Sequence, residues 1–328
     1  MANLETKYLG LNLKNPIVVS SSGLTNSVEK IGKLVEAGAG AVVLKSLFEE
    51  QINHEVNNVI YKGEGFDYPE ALDYVKGYTR DNSVNEYLKL IKETKAKYDI
   101  PVIASINCYS ADEWVDFARQ IEASGADALE LNVFIVNTDK NSEAGDYEKI
   151  YYEVLNNVSQ IISIPVSIKL GLYFSNLVSV VNKISVSGAK GVVMFNRFYE
   201  PDIDIDKLSL TSAEVFSSPA DMRRTLRWVA IVSEKIQNID ISASTGVHNG
   251  EGVIKQLLAG ATTVQVCSAI YKGGAKVVTE MVQKLESWMD DKGFKSVEEF
   301  RGSMNYGKIG DPHLYERAQF MRYFSSHE

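Results

Sequence analysis

The chain has 328 residues, a formal net charge of −9, a pI near 5.2, and 45% apolar against 23% charged residues. An acidic balance excludes a general affinity for nucleic acid, which needs a basic footprint, and no run approaches the ~18 apolar residues of a membrane span. Two distant cysteines, Cys108 and Cys267, and four scattered histidines form neither a disulfide framework nor a metal site, which leaves a small molecule as the expected partner.

The opening MANLETKYLGLNLKNP lacks the basic start and apolar run of a secretory signal, so the expected location is cytoplasmic. Eight short apolar, β-branched runs follow: Ile17–Ser21, Ala41–Lys45, Pro101–Ile106, Ala128–Val133, Val166–Leu170, Gly191–Phe195, Ile239–Ala243 and Thr263–Cys267. Such runs suit strands buried on both faces. Amphipathic segments lie between several of them, at Ser27–Ala37, Val84–Tyr98, Ala111–Ser124, Tyr147–Ile162, Asp221–Ile236 and Gly250–Ala259. Strands alternating with helices mean parallel βαβ units. Four units share a small helix-to-strand phrase, in EAGAGAVVLK, EASGADALELN, SVSGAKGVVMFN and LLAGATTVQVCS, where glycine closes the helix.

Eight strands predict an α/β fold of the (β/α)8 TIM-barrel type, as one domain over residues 1–328. An open doubly wound sheet is the alternative. Phe48–Asp81 and Arg197–Pro219 exceed routine loops and, because they follow strands, are expected to overhang the C-terminal face.

Polar residues gather at the C-terminal ends of these strands, where barrel enzymes bind ligands. They are Ser21, Ser22 and Gly23 after strand 1, Lys45 and Ser46 after strand 2, and Asn107 and Cys108 after strand 3. Asn132 and Asn137 follow strand 4, Lys169 ends strand 5, Asn196 and Arg197 follow strand 6, and Ser244, Thr245 and Gly246 follow strand 7. Lys45 and Lys169 follow apolar strand residues, which points their ammonium groups into the barrel mouth. There a lysine could neutralise an electron-rich ring or form a Schiff base, and a solvated strand tip is the plain alternative. The loops at Thr245, Gly246, Val247 and at Cys267, Ser268 have the form of a barrel phosphate cradle, against the alternative of ordinary tight turns.

Taken together, these stretches resemble the dihydroorotate dehydrogenase family, especially its cytosolic class 1 members, over nearly the whole chain. LGLNLKNPIVVSSSG, GAGAVVLKS, ADALELN, IPVSIKLGLYF, the run from STGVHNG to YKGG, and KGFKSVEEFRG carry the likeness in order. It implies FMN, with Ser21, Ser22, Gly23, Lys45, Ser46, Asn132, Lys169, Thr245, Gly246, Val247, Cys267 and Ser268 holding the cofactor. Lys45, Asn132, Asn137 and Asn196 would then meet a small anionic substrate. Arg197 stands where the family has Ser; its paired donors match a carboxylate, which makes it an expected substrate ligand, with a surface salt bridge to Glu200 or Asp202 as the plain alternative. The resemblance also implies oxidation of dihydroorotate in pyrimidine biosynthesis, a homodimer, and fumarate or a similar soluble acceptor.

The substrate half departs from the pattern. Where the family has Ser-Cys-Pro-Asn, with Cys or Ser as the base, this chain has Phe134-Ile135-Val136-Asn137. Isoleucine accepts no proton, so Cys108 and His54 stand as replacement bases, with buried packing the plain reading of Cys108. The expectation is an FMN-dependent oxidoreductase of dihydroorotate or a related acid. An FMN-binding barrel without turnover and a Schiff-base lyase using Lys45 or Lys169 remain open.

Overall fold

A computed structural model describes residues 2–52, 69–107, 111–136, 138–143, 145–197 and 200–316, and it places the side chains of all these except 69–80 and 111–113. All eight expected strands are present: β1 (Ile17–Val19), β2 (Ala41–Val43), β3 (Val102–Asn107), β4 (Ala128–Asn132), β5 (Val166–Leu170), β6 (Gly191–Met194), β7 (Asp240–Ser244) and β8 (Thr263–Val266). They pair in parallel in the order β2-β1-β8-β7-β6-β5-β4-β3, and β2 also pairs with β3 through Val42↔Val102. The sheet therefore closes into a (β/α)8 barrel, and the open-sheet alternative falls.

The connecting helices are α1 (Val28–Glu36), α2 (Pro69–Lys97), α3 (Ala111–Ala123), α4 (Asp146–Ser159), α5 (Leu177–Val186), α6 (Met222–Lys235) and α7 (Gly250–Ala259). Two more, α8 (Ser268–Gly273) and α9 (Lys276–Lys292), follow β8. Their buried faces join the outward strand residues in the main core. The repeated helix-to-strand phrase has one geometry. Gly38, Gly125, Gly188 and Gly260 all have positive φ, between 92° and 114°, the region in which a side chain is strained.

Three features differ from the sequence reading. Residues read as loop up to Asp81 are helical from Pro69, because Gly77 and a mostly polar composition hide the helical period. The stretch after β6 contains an antiparallel hairpin, Pro201–Asp204 with Ser209–Ser212. A second hairpin, Thr6–Tyr8 with Leu11–Leu13, plugs the N-terminal end of the barrel, where Tyr8, Leu9 and Leu13 pack on Val18, Ala41, Val43, Ile103 and Ala128. Leu9 N–H donates to Asp240 Oδ2 at 2.7 Å and fixes that plug to β7. Its apolar inward packing leaves the opposite end of the barrel as the place for polar groups.

Candidate active site

The barrel interior is polar toward its C-terminal end because polar residues alternate with apolar ones along the strands. Ser105, Glu130, Ser167, Ser242 and Gln265 are each at most 2% exposed. Gln265 Nε2 on β8 donates to Glu130 Oε2 on β4 at 2.7 Å; these strands are opposite in the barrel, so the bond crosses its interior. Lys169 on β5 likewise reaches across to Ser20 Oγ at 3.4 Å, and Ser20 Oγ donates to Gln265 Oε1 at 3.0 Å. Lys169 Nζ is also 3.9 Å from Glu130 Oε1, with both side chains buried. A buried charge persists only with such a partner.

Above this ring opens a cavity of about 300 Å³. Of the residues read from sequence, Ser21, Lys169, Asn196, Arg197, Ser244, Thr245, Gly246, Val247, Cys267 and Ser268 line it. Asn132 is tied to this wall through Asn196 and Ser46 through Ser21, although Ser46 itself lines a neighbouring cavity. The Ser21 and Ser46 hydroxyls are 3.1 Å apart, Ser46 Oγ is 2.7 Å from Ser105 Oγ, and Asn196 Nδ2 donates to Asn132 Oδ1 at 2.7 Å. Ser22 caps the turn after β1, accepting from Leu24 N–H. Gly23 lies beneath the Tyr271 hydroxyl, which a Cβ there would push aside.

Lys45 goes elsewhere. It lines a neighbouring cavity of about 210 Å³ and donates to Gln51 Oε1 at 3.5 Å. Cys108, Asn137 and His54 lie outside the described residues. Ile135 packs against the main hydrophobic core, so its side chain brings no proton acceptor to this end of the barrel.

The phosphate-cradle geometry has a different cause at Gly246 than close approach to a ligand. Gly246 has φ +82°, and a Cβ there would run into the backbone of Asp221 and Met222 at the start of α6. The N–H groups of Gly246 and Val247 have no acceptor among the described residues, although both residues line the cavity. Burial pushes the Cys267 thiol up, against hydrogen bonding from Ser22 and the charge of Lys169, so it is a neutral wall group.

Sequence reasoning missed Ser20, Gln265, Ser217 and Tyr271 as parts of this site, and His248 as the partner of Ser217 behind it. A usable signal was the lone polar residue inside apolar strands, as in TVQV. His248 Nε2 lies 3.1 Å from Ser217 Oγ, and burial followed by the charge of Lys272 lowers its proton affinity below the usual imidazole value. The folded protein thus binds fewer protons here than the unfolded chain. Its contribution to stability is present above the unfolded pKa of about 6.5 and falls as pH drops from there toward the lower folded value. Thermal melting from pH 7.5 to 5 is expected to show this loss, and His248→Gln should reduce the slope.

A closed parallel barrel with lysine, amides and hydroxyls around one cavity at its C-terminal end is the arrangement in which barrel enzymes place their ligand sites. The chain belongs to the dihydroorotate dehydrogenase family, whose sequence model matches residues 3–289. It is 28% identical over 308 residues to the dihydroorotate dehydrogenase B (NAD(+)) catalytic subunit of Thermoplasma volcanium, covering 92% of this chain and 98% of that one. The corresponding subunit of Pyrococcus horikoshii is 27% identical over 312 residues, 91% and 97% of the two chains. The NAD-dependent dihydropyrimidine dehydrogenase subunit PreA of Escherichia coli is 23% identical over 320 residues, 92% of this chain and 77% of that one. Among the described residues no helix is long and apolar enough to cross a membrane, and no group of three or more His, Cys, Asp or Glu could hold a metal.

Proposed function

We propose that residues 1–328 act as a single FMN-binding barrel domain, a cytoplasmic oxidoreductase that works across a carbon–carbon bond of a small anionic ring compound such as dihydroorotate. That activity would place the protein in pyrimidine biosynthesis. The observation that carries the reading is one cavity that joins the buried Lys169 ammonium to the N–H groups of Gly246 and Val247, which have no acceptor among the described residues. This donor set fits a flavin mononucleotide, with an electron-rich ring at one end and a phosphate at the other.

When bound, the flavin supplies the two-electron chemistry. Lys169, held by Glu130 and Ser20, would put a positive charge beside its ring, and the Gly246 and Val247 N–H groups would hold its phosphate. Asn132 and Asn196 would orient the substrate by their amides. Arg197 keeps two of its five N–H groups for a substrate carboxylate, the other three being engaged by Glu214 O, Val215 O and Asp221. The ion pair and hydrogen bond of Lys169 argue against its use as a free amine in a Schiff base.

The test is anaerobic addition of dihydroorotate, dihydrouracil and related cyclic compounds to the FMN-loaded protein. Bleaching of the flavin by at least one is expected. A flavin that stays oxidised with all of them would favour a barrel without turnover.

We further propose that the protein is a homodimer. Ile203, Ile205, Leu208 and Leu210 on the hairpin after β6 are 62–87% exposed, and the directly paired Ile203 and Leu210 share one face while Asp202 and Asp204 take the other. A lone two-stranded hairpin is marginal in water, and an uncharged apolar face can meet its own copy across a two-fold axis. Ile203→Ser with Leu210→Ser should shift the protein from dimer to monomer in sedimentation. A native protein that sediments as a monomer would rule the dimer out.

A further inference from the structure

Residues 214–218 form a strap that runs from the hairpin after β6 to the start of α6 and lines the cavity through Glu214, Val215, Phe216 and Ser217. Its fastenings lie on two sides. On the β6 side, Arg197 donates Nη2 to Glu214 O at 2.8 Å and Nε to Val215 O at 3.3 Å. Its Nη1 donates to Asp221 Oδ2 at 3.0 Å. The same Asp221 oxygen accepts from Ser218 N–H at 2.8 Å, so one carboxylate holds both the guanidinium and the end of the strap.

On the β8 side, Ser217 N–H donates to Ser268 Oγ at 3.0 Å, its hydroxyl meets His248 Nε2, and Lys272 Nζ donates to its carbonyl at 3.3 Å. The Phe216 ring lies 5.3 Å from that of Tyr271. Every fastening is a protein group, and together they carry the strap over the loops after β7 and β8. A ligand phosphate held by Gly246 and Val247 would lie beneath it. Burial opposes ionisation of Asp221, but bonds from Ser218 and the guanidinium outweigh it and keep the carboxyl below its ordinary range.

We propose that Arg197 is a latch, a positioning residue that fastens the 214–218 strap across the cavity and so sets how fast a phosphorylated cofactor enters and leaves. The inference rests on the cofactor reading above. A guanidinium suits the task because its planar fork serves two carbonyls and a carboxylate together, which a lysine ammonium on a flexible stem does not. Because the fastenings are the protein's own, loosening them favours the open strap whether or not ligand is bound. Association and dissociation then both quicken while affinity changes little.

The experiment follows FMN uptake by the apoprotein and FMN release into excess competing apoprotein, using flavin fluorescence, in the native protein and in Arg197→Lys, Asp221→Asn and Ser217→Ala. Both rates should rise about tenfold in the first two variants, consistent with loss of a charge-assisted bond, and by less in Ser217→Ala. Arg197→Lys combined with Asp221→Asn should exceed either single by less than the sum of their effects, since the singles share the Arg197–Asp221 bond while each also loses bonds of its own. Unchanged rates in all variants would overturn the latch while leaving the cofactor reading intact, as would weaker binding through faster release alone with unchanged uptake. Failure of the native protein to take up FMN would overturn the cofactor reading and the latch with it.

Discussion

Lys169→Met should destabilise the protein by about 3–5 kcal/mol, the usual consequence of removing one partner from a buried ion pair. Glu130 is 1% exposed, and once Lys169 is gone its carboxylate keeps only the Gln265 amide, with Oε1 already lacking a hydrogen bond. Urea unfolding of the apoprotein measures this without reference to flavin. The control is Lys169→Met with Glu130→Gln, which removes both charges and should recover most of the loss, since an uncharged amide costs far less to bury than a lone carboxylate. A single variant as stable as the native protein would mean that water or an alternative partner already serves Glu130, and that the ring across the barrel is not a structural unit.

The second large effect concerns the proton. If Ile135, which packs on the core, stands where the resemblance puts the family's base, reduction of bound flavin by dihydroorotate should be slower by about 10²–10⁴-fold than in Ile135→Cys, the usual worth of a positioned general base. Stopped-flow flavin reduction in the native protein, Ile135→Cys and Cys108→Ala reads this directly. Fast native reduction that is lost in Cys108→Ala would assign the base to Cys108. Fast reduction that survives Cys108→Ala would show that the inference from Ile135 is wrong and turn attention to side chains such as His54.

The barrel was legible because its signals are local. Strands such as VVLK and VSIKL are short and apolar, and Gly38, Gly125, Gly188 and Gly260 mark the turns before strands by a backbone need that only glycine meets cheaply. Of the helix from Pro69, the part from Val84 is legible from its amphipathic pattern, and the part before it is hidden because Gly77 and mostly polar residues break the helical period. The N-terminal plug was hidden for another reason: three-residue strands carry little pattern, and Tyr8 and Leu9 are explained only by the barrel they close.

The site divides in the same way. Gly246, Val247, Lys169 and Asn196 were readable because strand ends in a barrel converge on one face whatever the intervening sequence. The Glu130–Gln265 bond was not, since its partners are 135 residues apart and meet only when β4 and β8 stand opposite. Arg197 is readable as a substrate ligand from its paired donors and its place at a strand end, but not as a fastening of the strap. Asp221 and the strap carbonyls, its actual neighbours, depend on the path of a long connection that sequence spacing does not determine. Lys45 shows the limit from the other side, because a residue at a strand end can still turn into the adjacent cavity.

The most direct test of the account is the identity and stoichiometry of flavin in the purified protein, read by absorbance and by mass spectrometry of the compound released on heating. The account predicts about one FMN per chain after reconstitution, with retention sharply reduced in Gly246→Val, where the added side chain would collide with the start of α6 and move the loop that carries the phosphate donors. A native protein that binds no FMN, or a Gly246→Val protein that remains folded and holds FMN at full occupancy, would contradict it.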